Sequence, residues 1–204
     1  MKKHPIDMSI DNRAESRWNK SNKSYINYKN YISKKEKPLE LTLIDLLYVK
    51  NFKGGAATLN DTDEDIKRKL KFYQNIFERI NAEFKENSLT NLDNHRVEKL
   101  ITLAEECFAL SKKKDTKIDG FAVSFISTLL HFHFPNLYPI LDRRVLNGLG
   151  LIKSEHINKQ GQVKNIQDFY PCLIQTFKGE MKTKDMRDID REAFILPMLS
   201  YKVN

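Results

Sequence analysis

The sequence predicts an all-α fold, a multi-helix bundle that forms one domain. Apolar residues recur at spacings of three and four over most of the chain, which is typical of amphipathic helices. Only seven glycines and six prolines occur in 204 residues, which argues against a loop-rich β protein. Hydrophobic residues make up 40% of the chain and charged residues 30%, as in globular rather than disordered proteins.

The N-terminal segment, residues 1–37, is basic and is predicted to be a partly ordered arm in front of a single helical domain, residues 38–204. It carries ten Lys and Arg against four acidic residues, and so holds six of the eight net positive charges. This charge favours binding to a polyanion, above all nucleic acid. The alternative is that the segment only keeps the protein soluble. Four aromatic residues lie among the lysines, and we favour their packing on the domain over stacking on bases: Trp18, Tyr25, Tyr28 and Tyr31.

Three helices are predicted next. The first begins at the N-cap Thr42, is apolar enough to be largely buried, and ends where Lys53 precedes two glycines. The second has one apolar stripe from Ile66 to Phe84, and the third runs from Val97 into the lysines after Ser111. Further along, apolar spacing predicts a helix over 166–177 and a last helix that starts after Asp185.

The composition predicts neither a metal nor a cofactor. The two cysteines, Cys107 and Cys172, lie far apart in apolar helical patterns and are expected to be buried, reduced thiols. No stretch approaches 18 apolar residues, and the basic N-terminus lacks the apolar part of a secretory signal. We therefore expect a cytoplasmic protein that does not bind membranes.

The most informative segment lies between residues 117 and 151. It begins with Lys117-Ile118-Asp119-Gly120-Phe121-Ala122, continues as an apolar helix, and then reads Leu141-Asp142-Arg143-Arg144-Val145, with Gly148-Leu149-Gly150-Leu151 at its end. This pattern predicts a helix, a tight hairpin with Gly120 in the turn, a second helix, a loop and a short helix capped by Asp142.

This segment resembles the helix-hairpin-helix DNA glycosylase superfamily in a partial match over residues 117–151, and the implied helix-hairpin-helix would span about residues 98–151. Ile118-Asp119-Gly120 corresponds to the hairpin sequence LPG, Leu141 to Val145 to VD-x-HV, and Gly148 to Leu151 to the final RLGL. Gly120 and Asp142 stand 22 positions apart, which is the spacing of the family pattern.

The resemblance implies that the hairpin's backbone N–H groups hold a DNA phosphate while a nucleotide is flipped into a pocket. Asp142 would be the catalytic residue, which helps water attack the sugar and stabilises its positive charge; its structural alternative is an N-cap worth about 1 kcal/mol. Basic residues beside these elements could instead be a solvated loop or pair with surface acids. The candidate DNA-binding residues are Lys112, Lys113, Lys114, Lys117, Gly120, Phe121, Ala122, Arg143 and Arg144.

Four of the departures from the family pattern bear on the implied function. Asp119 replaces the proline of LPG, Ala122 replaces the second hairpin glycine, and Arg144 replaces the family histidine. Ser124 stands where bifunctional members carry the lysine that forms a Schiff base. The expected function is therefore DNA binding, with a monofunctional DNA N-glycosylase as the enzymatic form. The alternative is a catalytically inactive module of the same fold that binds DNA or a protein partner.

Overall fold

A computed structural model describes residues 10–55 and 58–198, and within these ranges its regular secondary structure is helical apart from one isolated bridge between Ile157 and Val163. The all-α prediction is confirmed. Short 3₁₀ turns cover Leu89–Asn91, Ser154–His156 and Ile166–Phe169. The α-helices of the described ranges are α1 (Asn12–Lys34), α2 (Leu43–Phe52), α3 (Asp63–Phe84), α4 (Asn94–Leu110), α5 (Val123–His133), α6 (Arg143–Gly148), α7 (Tyr170–Glu180) and α8 (Met186–Phe194).

Helix α5 is the centre of the bundle and contacts α1, α2 and α4. Every residue from 126 to 132 is buried, so this helix has no solvated face. Most of its polar side-chain atoms have partners nearby, although the buried Nε2 of His131 has none among the described residues. The Ser127 and Thr128 hydroxyls both donate to the carbonyl of Ser124. The His131 Nδ1 lies 2.8 Å from the carbonyl oxygen of Tyr138. Such pairing makes burial of polar groups tolerable.

Helix α1 covers most of residues 1–37, the segment that the sequence predicts to be a partly ordered arm. Its aromatic residues Trp18, Tyr25 and Tyr28 are buried, and their spacing places them on one helix face, so the packing interpretation is confirmed. The Tyr28 hydroxyl donates to the Asp45 carboxylate of α2 at 2.9 Å, and Lys35 pairs with the same carboxylate at 3.0 Å. Residues 1–9 of the predicted arm lie outside the described residues.

Two expectations about burial were wrong. Helix α2 is not largely buried, because Ile44 and Leu47 are 48% and 47% exposed on the face opposite its core contacts. Cys107 is buried, but Cys172 is exposed because Leu173 and its neighbours occupy the buried face of α7; both thiols are free.

The described ranges also bear on the membrane and metal expectations. Among their helices, none has both the length and the apolar character needed to cross a membrane. Over the same residues there is no group of three or more His, Cys, Asp or Glu side chains that could hold a metal ion.

Candidate functional site

A cleft of about 660 Å³ lies where α1, the end of α2, the start of α6 and α8 meet. Its volume is in the range of small-ligand pockets. Aromatic rings, two carboxylates and several cations line it, together with Ser124 at the start of α5. The lining residues of these kinds are Trp18, Phe52, Phe194, Asp142, Asp190, Arg17, Lys20, Lys53, Arg143 and Arg144.

Asp142 faces this cleft from the N-cap of α6. One carboxylate oxygen accepts a hydrogen bond from the Arg144 backbone N–H at 2.8 Å, and the other lies 2.6 Å from the Lys53 ammonium. The side chain remains 23% exposed. Burial alone would raise the pKa of Asp142, but the Lys53 charge and hydrogen bond, with the Arg144 N–H, outweigh it and lower that pKa. Asp142 is therefore an oriented, ionised carboxylate as well as a helix cap.

Lys53 is the partner of Asp142 that sequence reasoning missed. It lies at the C-terminal end of α2, directly before Gly54 and Gly55, which both adopt positive φ. This turn directs the side chain into the cleft, where it is 13% exposed. The local sequence shows a helix end, but no local signal pairs Lys53 with a residue 89 positions away.

Arg143 and Arg144 line the cleft, but their guanidinium groups have partners within the chain. Arg144 donates to the carbonyl of Phe194 at 2.9 Å and to the Asp11 carboxylate at 2.7 Å. It thus joins the C-terminal end of α8 to the N-cap of α1. Arg143 donates to the carbonyl of Gly161. Arg144 therefore pairs with an acidic residue, as one of the two interpretations of the sequence predicts.

The segment 111–122, which joins α4 to α5 and contains the predicted hairpin, packs on the residues that lead into α3. Gly120 has a φ of +81°, and a Cβ built on it would lie 1.8 Å from the carbonyl oxygen of Thr58. The Asp119 N–H donates to Asp61 at 2.8 Å, and the Asn60 amide donates to the Asp119 carboxylate at 2.9 Å. The Asp119 N–H is therefore used internally, and Asp119 itself helps to hold the hairpin in place.

The other hairpin candidates divide by exposure. Phe121 is buried, so its ring supports the hairpin from inside. The three consecutive lysines Lys112, Lys113 and Lys114 are exposed, and Lys117 is 52% exposed while paired with Asp119 at 3.3 Å. These lysines place positive charge on the solvent side of the loop.

The N-terminus of α5 connects the hairpin to the cleft. Its N-cap, Ala122, is exposed and provides no side-chain acceptor for the first N–H groups of the helix. Ser124, in the first turn, donates its hydroxyl proton to the carbonyl of Leu141 at 2.8 Å and lines the cleft. The positive end of the helix dipole thus lies at the wall of the cleft.

Asp190 is the second carboxylate of the cleft and was also missed by sequence reasoning. It lies on α8 beside Ile189, in a pattern that reads as an ordinary amphipathic helix, and it is only 3% exposed. Its Oδ2 accepts a hydrogen bond from Arg187 at 2.5 Å.

No protein-family model matches the chain, and neither a curated protein nor a solved structure matches it.

Proposed function

We propose that the chain binds DNA in the manner of helix-hairpin-helix glycosylases and is a monofunctional DNA N-glycosylase whose reaction takes place at Asp142. The observation that carries the proposal is the Asp142 carboxylate, which Lys53 keeps ionised and the Arg144 N–H orients towards an open cleft. A fixed carboxylate of this kind can polarise a water molecule and stabilise positive charge on a sugar as its base departs.

The surroundings of Asp142 suit a nucleotide. The partly exposed ring of Phe194 provides apolar surface on the cleft wall, with the buried ring of Trp18 packed 5.6 Å from it. The exposed cations Arg17 and Lys20 of α1 stand at the edge of the cleft. Aromatic rings stack on bases, and Lys and Arg neutralise phosphates. The uncapped start of α5 offers backbone N–H groups to a phosphate on the hairpin side.

One observation favours the second function, a catalytically inactive module for DNA or protein interaction. Both oxygens of Asp142 already have partners in the chain, Arg144 and Lys53. In this function the carboxylate only caps α6 and anchors α2. The two functions differ in what happens when the charge of Asp142 is removed.

The test uses duplex oligonucleotides that carry alkylated, oxidised or deaminated bases. We expect the wild-type protein to release one class of base and to leave the strand intact until alkali is added, because Ser124 replaces the family lysine. Asp142→Asn should lower base release by about 10²-fold or more, while DNA binding stays as tight, because a negative charge near phosphate has been removed. Asn still caps a helix well, but Lys53 loses its charge partner, so some loss of stability is expected and the two proteins are compared at a temperature at which both are folded.

The matched control is Asp93→Asn, the same substitution at the N-cap of α4, where the carboxylate accepts the Arg96 N–H at 2.8 Å outside the cleft lining. It should leave base release unchanged. A wild-type protein that binds DNA but releases no base from the whole panel would overturn the glycosylase proposal and leave the binding module. Unchanged activity in Asp142→Asn would remove this residue from the mechanism.

A further inference from the structure

Asp190 is a buried carboxylate on the wall of the cleft that the proposed mechanism does not yet use. Its side chain is 5% exposed, yet it lines the same cleft as Asp142. A buried carboxylate is costly unless it is paired, and Arg187 supplies one partner at 2.5 Å. Asp190 is therefore held in a defined place facing the space in which a ligand would lie.

The close approach of α6 and α8 sets this position. A Cβ built on Gly148 of α6 would lie 2.1 Å from the carbonyl oxygen of Ala193 on α8, so the backbones touch where only glycine fits. Arg144 adds hydrogen bonds to the carbonyls of Phe194 and Leu196, at 2.9 and 3.1 Å. These contacts fix α8 against α6, and thereby Asp190 relative to the N-cap Asp142.

Charged and aromatic groups from four elements surround Asp190. Arg187, its neighbour on α8, lies over the rings of Trp18 and Tyr25 of α1, with its guanidinium carbon 4.0 and 4.4 Å from their centres. Asp142 contributes a negative charge from α6 and Lys53 a positive charge from α2. The stacking fixes Arg187, so that Asp190 cannot turn away from the cleft without leaving its partner.

The two carboxyl groups of the cleft differ in proton affinity. Burial raises the pKa of Asp190, Arg187 lowers it, the charge of Asp142 raises it and Lys53 lowers it, with a net rise to about 6. The pKa of Asp142 is lowered instead. Two carboxyl groups whose environments separate their pKa values in this way suit opposite roles in acid–base catalysis.

We propose that Asp190 is the proton donor of the cleft, which protonates the departing base while Asp142 supports the attack of water on the sugar. This inference rests on the proposed N-glycosylase function. The bond between the sugar carbon and the base nitrogen breaks with both electrons going to the base, which takes the proton of Asp190. The oxygen of water bonds to the sugar carbon, and the proton it loses returns to the Asp190 carboxylate directly or through solvent. The products are the free base and an abasic sugar.

The first test compares wild-type protein with Asp190→Asn in single-turnover base release on the duplex that the wild-type protein processes best. We expect a 10²- to 10⁴-fold loss, on the order of general acid catalysis. The loss should be smaller for bases that leave as stable anions, because these need no proton. The wild-type rate should fall as pH rises above about 6, and this limb should be absent in Asp190→Asn. Asp188→Asn, an exposed position on the same helix outside the cleft lining, is the control.

The second test is a carboxyl NMR titration of the protein without DNA, which also decides the matter where Asp190→Asn fails to fold. Asp190 should titrate near pH 6, and its pKa should fall in Asp142→Asn, because a neighbouring negative charge has gone. An Asp190 that is fully ionised above pH 5 would overturn the inference. A folded Asp190→Asn protein with wild-type rates and an unchanged pH profile would also overturn the inference, but it would leave the proposed glycosylase function in place. A wild-type protein that releases no base overturns the proposed function itself.

Discussion

At the scale of single residues, the neighbours of a side chain decide its chemistry more than its type does. Asp142 and Asp190 line one cleft, and each has a cation within 2.6 Å. Asp142 is more exposed and also accepts a backbone N–H, so its charged form is favoured. Asp190 is almost fully buried and faces the charge of Asp142, so its pKa is raised to about 6 despite Arg187. Identical side chains thereby acquire different proton affinities.

Gly120→Ala is predicted to destabilise the protein by about 1–3 kcal/mol. The native φ of +81° is strained for alanine, and its Cβ would collide with the backbone carbonyl of Thr58. Urea denaturation measures the change in unfolding free energy. The control is Gly179→Ala in α7, where a Cβ would meet nothing within 4 Å; it should be neutral or stabilising. Equal effects at both positions would show that the hairpin is not held against Thr58.

At the scale of helices, local periodicity predicted most elements but not their partners. The apolar stripe of α3 was readable because its spacing of three and four is regular, and the N-cap role of Asp142 followed from the sequence around it. The sequence of α1 predicts an arm rather than a packed helix, because its few buried residues are separated by many lysines and asparagines. The pairing of Lys53 with Asp142 depends on tertiary packing, which no local pattern encodes.

Helix α5 should make the protein sensitive to acid through its two histidines. Burial lowers the pKa of His133 to about 4 and that of His131 to about 3. Between about pH 6.5 and these values, the unfolded chain takes up protons that the folded chain does not bind, so stability falls as pH falls. Each histidine contributes a slope of up to about 1.4 kcal/mol per pH unit.

The comparison that isolates this effect is His133→Gln against His95→Gln, an exposed position on α4. Between pH 6 and 4.5, the unfolding free energy should fall less steeply with falling pH in His133→Gln than in His95→Gln. The difference in slope should correspond to the uptake of about one proton. The raised pKa of Asp190 acts with the opposite sign over this range, but it is present in both variants and cancels. Parallel slopes for the two variants would contradict the buried, neutral state of His133.

At the scale of the whole molecule, part of the positive charge of the N-terminal segment lies at the cleft. Helix α1 places Arg17 and Lys20 at one edge of the cleft. The exposed lysines 112–114 lie in the loop before α5, whose N-terminus reaches the cleft at Ser124. A nucleic acid that followed these charges would pass over the uncapped end of α5 on its way to Asp142. The same helix that packs the core therefore also carries part of the proposed binding surface.

Reversing the charge at the cleft edge should weaken DNA binding more than an equal change elsewhere. The double variant Arg17→Glu with Lys20→Glu should reduce affinity for duplex DNA by at least about 10-fold. The slope of log K against log salt should become less steep by an amount that corresponds to the loss of up to about two phosphate contacts. The matched control is Lys67→Glu with Lys71→Glu on the exposed face of α3, which changes the net charge equally but lies outside the cleft lining. Fluorescence anisotropy over a range of salt concentrations measures both quantities. Both side chains of the α1 variant are exposed, so its melting temperature should not change. If only net charge attracts DNA, the two double variants will lose the same affinity. If the cleft edge positions the duplex, only the α1 variant will show the weaker dependence of affinity on salt.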